Sequence, residues 1–226
     1  MPVKTDAEIA ISAFRWVPDF AAGVVRDLRV RWALEEAGLD YRERLLDAMT
    51  ERPADYFEEQ PFGQVPVYSS NDVRLFESGA IVLHIGQTVE ALLPADPPAR
   101  ARSITWVIAA LNSVEPPISE LATIDIFNAD AEWAKARRPD AEENVRRRLQ
   151  RLSEWLGPRD HLEDRFTAGD LMMTTVLRNL RHTALVAAFP NLAAYQARCE
   201  ARPAFQRALA AQLSAFERCA AVAENA

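Results

Sequence analysis

Apolar and polar positions alternate in short runs up to about residue 92 and follow a helical period after it. Glu8 to Phe14 (Glu-Ile-Ala-Ile-Ser-Ala-Phe) predicts a short buried strand. A turn region follows at Arg15-Trp16-Val17-Pro18-Asp19, and Asp19 is placed to cap a helix that runs to Ala37 and stops at Gly38. Val30, Ala33, Leu34 and Ala37 recur at i, i+3, i+4 and i+7, and Val25, Leu28 and Trp32 widen that stripe, so the helix packs on a sheet. Tyr41 to Leu46 predicts a second strand, completing a βαβ unit. Residues 51–59 are polar and loosely helical. Residues 65–76 predict a hairpin around Ser69-Ser70-Asn71-Asp72, and Ser78 to Gly86 a helix that is apolar nearly all round.

Leu93-Pro94-Ala95-Asp96-Pro97-Pro98 then reads as a stiff connector. Beyond it the pattern predicts only helices. One covers Ala99 to Val114 and is interrupted by Glu115-Pro116-Pro117. Another covers Ala141 to Leu156, with Val145, Leu149, Leu152 and Leu156 on one face and Gly157-Pro158 as its stop. Thr167 and Asp170 form the acidic version of a capping box, with Phe166 and Leu171 placed as a hydrophobic staple. The run Leu171 to Leu185 is the expected central helix, and Pro190 and Pro203 open two more.

Composition narrows the function classes. The chain has 226 residues, 49% hydrophobic and 26% charged, enough for a sizeable core. Its net charge of −7 opposes nucleic acid and anionic membrane surfaces as partners. No secretory signal is read at Met1-Pro2-Val3-Lys4-Thr5-Asp6, and a cytoplasmic location is expected. The two cysteines, Cys199 and Cys219, are expected as unpaired thiols rather than a disulfide framework or a zinc site. His84, His161 and His182 show no metal spacing, and His84 is expected to be a core histidine. Arg146-Arg147-Arg148 with Arg151 reads as the solvated face of an amphipathic helix.

The chemistry concentrates in Gln60-Pro61-Phe62-Gly63-Gln64-Val65-Pro66-Val67-Tyr68 and Leu75-Phe76-Glu77-Ser78-Gly79-Ala80-Ile81. A proline at a strand entrance gives up a ladder donor. A cis Val65–Pro66 peptide would turn the backbone groups of Val65 away from the sheet and towards a ligand. Glu77 and Ser78 then offer a carboxylate, a hydroxyl and helix N-terminal amides to the charged end of an amino acid.

Gln-Pro-x-Gly-x-Val-Pro followed by Phe-Glu-Ser-x-Ala-Ile resembles the glutathione-binding half of bacterial-type cytosolic glutathione transferases, and the resemblance covers nearly all of the chain. It implies a thioredoxin-like α/β domain over 1–92, which agrees with the β-α-β-β-β-α order, a linker at 93–98 and an all-helical domain over 99–226. It implies glutathione as co-substrate with no metal, a small-molecule electrophile as second substrate, a homodimer, and a role in detoxification. Val65 would pair with the cysteinyl backbone of glutathione, Glu77 would take its ammonium, Ser78 its γ-glutamyl carboxylate, and Gln64 would reach along its backbone. Trp106, Asn112 and Pro116 are candidate walls for the electrophile, although Trp106 also suits the helical core.

One segment departs from the family pattern. In the family a hydroxyl or cysteine just after the first strand lowers the pKa of the thiol. Here nothing from Phe14 to Trp32 is Ser, Thr, Tyr or Cys. The candidates for holding a thiolate are therefore Arg15 or Arg26 as a cation, the Trp16 indole N–H, and backbone amides near Asp19-Phe20-Ala21. Without a thiol near the site, a mixed disulfide with glutathione cannot form. The alternatives left open are a glutathione-dependent peroxidase or isomerase, and a non-catalytic binding protein of the same scaffold.

Overall fold

The computed structural model describes residues 3–223. Contacts divide the chain into two compact units, one of Met1–Ala91 with Pro203–Ala226 and one of Leu92–Arg202. The final helix therefore groups with the first unit, whereas the expected helical domain spans all of 99–226.

The first unit is built on four strands: β1 (Ile9–Phe14), β2 (Tyr41–Leu46), β3 (Val67–Ser69) and β4 (Arg74–Phe76), in the order β2-β1-β3-β4. β1 and β2 run parallel from Ile9↔Tyr41 to Phe14↔Leu46, while β3 is antiparallel to both of its neighbours. The helices are α1 (Asp27–Ala37), α2 (Tyr56–Glu59) and α3 (Ser78–Gly86), with α9 (Pro203–Ala223) returning from the end of the chain. This is the thioredoxin-like arrangement that the element order predicts. Ile11 and Ala13 of the central strand, Val30, Ala33 and Leu34 of α1, Val67 of β3, and Ile81 and Val82 of α3 are all buried.

Helix α1 is buried from Asp27 through Glu35, charged residues included. A single-sided stripe would leave Asp27, Arg31 and Glu35 in water. Asp27 and Glu35 take partners on α9, whereas Arg31 donates to Asp27 and to Glu43 of β2. Trp32 and Phe205 meet edge to face at 4.8 Å. Arg207 Nε donates to Glu35 Oε2 and Arg218 Nη2 to Glu43 Oε2, both at 2.6 Å. Helix α1 starts seven residues later than the sequence predicts. Asp19 does not cap it; residues 18–24 form successive turns, in which Pro18 O accepts from the amides of Ala21 and Ala22 and Gly23 takes a φ of 78°. Gly38, at φ 66°, stops the helix as expected.

The second unit is helical throughout: α4 (Pro97–Ala109), α5 (Glu115–Ala122), α6 (Glu132–Leu156), α7 (Ala168–Leu177) and α8 (Pro190–Glu200). Pro97 and Pro98 belong to the first turn of α4 rather than to a connector, with Asp96 Oδ2 accepting from the Ala99 amide at 2.9 Å. Likewise Pro116 and Pro117 open α5 instead of breaking a helix. A wide π-type turn at Ala110–Val114 carries α4 into α5, and a second at Thr123–Phe127 follows it. A proline in a first turn removes an amide that has no partner within the helix. Helix α6 begins nine residues before the expected Ala141. Its opening Glu-Trp-Ala-Lys-Ala-Arg-Arg-Pro buries only Ala134 and so shows no apolar stripe. Helix α7 ends at Leu177, short of Leu185, and Asn179 Nδ2 donates to the carbonyls of Thr175 and Val176.

Candidate functional site

The antiparallel register brings the two sequence motifs together. Val67 pairs with Phe76, so the residues just before one and just after the other, Pro66 and Glu77, lie at the same end of the hairpin. The Val65–Pro66 peptide is cis. Val65 is buried and lies before the ladder begins at Val67. Glu77 takes φ 68° and ψ 111°, a conformation that side-chain-bearing residues rarely hold, and Ser78 begins α3 directly after it. Glu77 and Gln64 are exposed, whereas Ser78 is buried.

Buried hydroxyls hold the loop in place. The Val67 amide donates to Ser12 Oγ at 2.6 Å. Ser12 Oγ and Tyr56 Oη are 2.7 Å apart, and Tyr56 Oη donates to Gln64 O at 2.7 Å. A consistent direction runs from the amide through Ser12 and Tyr56 to the carbonyl, using each hydroxyl proton once. Burial raises the pKa of the Tyr56 phenol, with the Ser12 hydrogen bond opposing. The Gln60-Pro61-Phe62-Gly63 stretch makes the preceding turn. Gln60 Oε1 accepts from the Phe62 amide and Gln60 O from the Gly63 amide. Gly63 has φ 64°, and a Cβ there would stand 3.0 Å from the Phe57 ring. Arg52 Nε donates to Gly63 O at 3.1 Å, and its guanidinium lies 4.9 Å from the centre of the Phe14 ring.

The sequence reading missed Arg29. It is buried in α1, and its Nη1 donates to Ser78 Oγ at 3.2 Å. A cation thus stands behind the hydroxyl and amides of the α3 N-terminus. The available signal was a charged residue on an apolar helix face, with Val25, Trp32 and Ala33 at i−4, i+3 and i+4 from it. Ser12 and Tyr56 were missed as well, because a hydroxyl in a strand or a one-turn helix carries no pattern that tells a brace from a surface residue.

Of the residues proposed for thiolate stabilisation, Arg15 and Trp16 are exposed and lie directly after β1, where the Arg15 amide donates to Leu46 O at 2.8 Å. Arg26 is exposed at the other end of the segment, just before α1. The candidate pocket residues belong to the second unit. Trp106 is half-buried, donates Nε1 to Glu163 Oε1 at 3.0 Å and stacks obliquely on Trp155 at 5.4 Å. Its polar edge therefore serves the packing of the helical unit. Asn112 and Pro116 are exposed, the first in the wide turn and the second at the start of α5.

The capping box of α7 forms as predicted, with Asp170 Oδ2 accepting from the Thr167 amide at 2.9 Å. Its Oδ1 also accepts from the Leu162 amide and the Tyr195 hydroxyl. His84 is half-buried, edge to face with Tyr68 at 5.5 Å. Cys199 is buried and Cys219 half-buried, and both are free thiols. Among the described residues, no group of three His, Cys, Asp or Glu could hold a metal ion, and no helix is long and apolar enough to cross a membrane.

Comparison with known proteins agrees with this geometry. Residues 21–87 match the family model "Glutathione S-transferase, N-terminal domain", and residues 114–203 match "Glutathione S-transferase, C-terminal domain". Maleylacetoacetate isomerase of Rhizobium meliloti (strain 1021) is 30% identical over 192 residues, which is 80% of this chain and 89% of that protein. Glutathione S-transferase 3 of Zea mays is 30% identical over 205 residues, 81% of this chain and 88% of that protein. A glutathione transferase of Burkholderia graminis, solved with two glutathione molecules bound per subunit, superposes with a TM-score of 0.78 at 25% identity, covering 92% of this chain and 90% of that one. A family member from Pseudomonas fluorescens reaches 0.80 at 22% identity over 92% and 95%. Matched in both halves and in most of its length, this chain belongs to the glutathione S-transferase family.

Proposed function

We propose that this protein binds glutathione at the Val65–Glu77 end of its hairpin and delivers the thiolate to a small electrophile. The observation that carries the reading is the Val67–Phe76 register, which brings Val65 and Pro66 to the same end of the hairpin as Glu77 and Ser78. In this reading Val65 forms a short piece of strand with the cysteinyl residue of the tripeptide. Glu77 takes the ammonium and Gln64 lies along the backbone. Ser78, the first amides of α3 and the Arg29 guanidinium receive the γ-glutamyl carboxylate. The glutathione bound in the Burkholderia graminis relative supports the ligand class. A homodimer, expected from the family resemblance, is part of the same proposal.

The thiolate would be held without a hydroxyl. Ser12 and Tyr56 are committed to each other and to the loop backbone, and residues 14–32 contain no Ser, Thr, Tyr or Cys. The cation of Arg15, the Trp16 indole and amides of the 15–26 segment remain to lower the thiol pKa, and each unit lowered is worth about 1.4 kcal/mol. On this account Arg15→Ala raises the pKa of bound glutathione. An unchanged thiolate absorbance titration would remove Arg15 from the mechanism.

The missing hydroxyl also favours a second reading, a binding protein without turnover. Retention on immobilised glutathione, followed by assays with an aryl halide and with a peroxide, separates the cases. Retention with aryl halide conjugation supports the transferase. Retention without turnover supports the binding protein, peroxide turnover alone supports a peroxidase, and loss of retention removes the proposed site.

A further inference from the structure

The segment between β1 and α1, residues 15–26, contains no regular helix or strand, yet both of its ends are tied down. At its entry the Arg15 amide donates to Leu46 O of β2. At its exit the holder is one side chain from the far end of the chain. Gln212 of α9 is fully buried. Its Oε1 accepts from the Gly23 amide at 3.1 Å. Its Nε2 donates to Val25 O at 3.3 Å and to Asp27 Oδ1 at 2.6 Å. One acceptor and two donors on a planar head are what a carboxamide supplies, and all three functions are used here. The three partners span Gly23 to Asp27, so they fix the chain from its left-handed turn to the first residue of α1.

Docking of α9 has other contacts besides this amide. Trp32 against Phe205, Arg207 with Glu35 and Arg218 with Glu43 already hold the helix to α1 and β2. Gln212 instead meets the irregular backbone and the first residue of α1. We infer that Gln212 is a positioning residue for thiolate stabilisation: through Gly23, Val25 and Asp27 it sets the conformation of the 15–26 segment that carries Arg15, Trp16 and Arg26. The inference rests on the proposed glutathione site. It makes the C-terminal helix a determinant of thiol reactivity.

The test is a thiolate absorbance titration of the glutathione complex for wild type, Gln212→Met and Arg207→Ala. Methionine keeps the volume and removes the polar functions. Arg207→Ala loosens α9 elsewhere and controls for general loss of packing. The expected result is that Gln212→Met still retains glutathione, raises the pKa of the bound thiol by about one unit, and lowers kcat up to about tenfold at neutral pH with little change in KM for glutathione. Arg207→Ala should lower Tm with the thiol pKa unchanged. An unshifted pKa in Gln212→Met, or an equal shift in Arg207→Ala, overturns the inference. If wild type itself fails to retain glutathione, the proposed function falls first, and that outcome is distinguishable. Should Gln212→Met not fold, amide exchange in the wild-type protein decides. Glutathione should slow exchange at Gly23, and exchange unchanged by glutathione overturns the inference.

Discussion

Arg29 places a full charge where little water reaches, with its Nη1 on the hydroxyl that opens α3. A hydrogen bond to a charged group contributes about 1.5–3 kcal/mol, and one between neutral groups about 1. Arg29→Ala should therefore weaken glutathione retention about tenfold or more, and Ser78→Ala by less. Isothermal titration on both variants orders them, and equal losses would contradict a charged role for Arg29. Cys199 gives a second prediction at this scale. Burial pushes its thiol from the ordinary 9.0 up to about 12. Between those values the unfolded chain releases a proton that the folded chain keeps. The contribution of Cys199 to stability is therefore whole below about pH 9 and is lost on rising to about pH 12, at up to about 1.4 kcal/mol per pH unit. Urea unfolding at several alkaline pH values should show that slope reduced in Cys199→Ala. At residue scale the 60–66 and 76–81 motifs were legible, because their glycine, prolines and Glu-Ser pair sit at fixed offsets. The sequence concealed Ser12, Tyr56 and Arg29, whose roles exist only once β1, α1 and α2 are brought beside the loop.

At the scale of elements, the start of α7 is held by one side chain. Asp170 accepts from two amides and the Tyr195 hydroxyl, all buried. Asp170→Ala would leave each of these donors without that acceptor, at about 1–3 kcal/mol apiece, so a loss of roughly 3 kcal/mol or more is expected in chemical denaturation. A loss below about 1 kcal/mol would mean that the box is incidental. The box was legible because Thr167 and Asp170 keep their spacing in any helix start. The boundaries of other helices were less legible. Prolines at 97, 98, 116 and 117 read as breakers, but a first turn accepts them, and sequence alone does not distinguish the two uses. Asp19 met the composition of a cap, yet Gly23 and the Gln212 bonds delay the helix to Asp27. That delay is set by a residue 189 positions away.

At the scale of the whole molecule, the two family halves were visible in the switch from short strands to helical periods. The membership of α9 was not, since its stripe of alanines and Phe205 would suit either unit. Its grouping with the first unit carries a prediction. A fragment of residues 1–91 should fail to form a cooperative fold, because it exposes Trp32 and strips Asp27 and Glu35 of their α9 partners. Adding residues 203–223 as a separate peptide should restore cooperative melting; a fragment that melts sharply by itself would contradict this.

The same membership affects how the chain is made. The ribosome completes the strands and α1 early, but the helix that closes over them emerges more than a hundred residues later. At about 5–20 residues per second, that leaves the α9-facing side of α1 open for on the order of ten seconds while Leu92–Arg202 is already able to fold. The half that begins synthesis is therefore the half that finishes folding last. The α1 face that carries Trp32 beside Asp27 and Glu35 is the surface for a chaperone to shield during that interval.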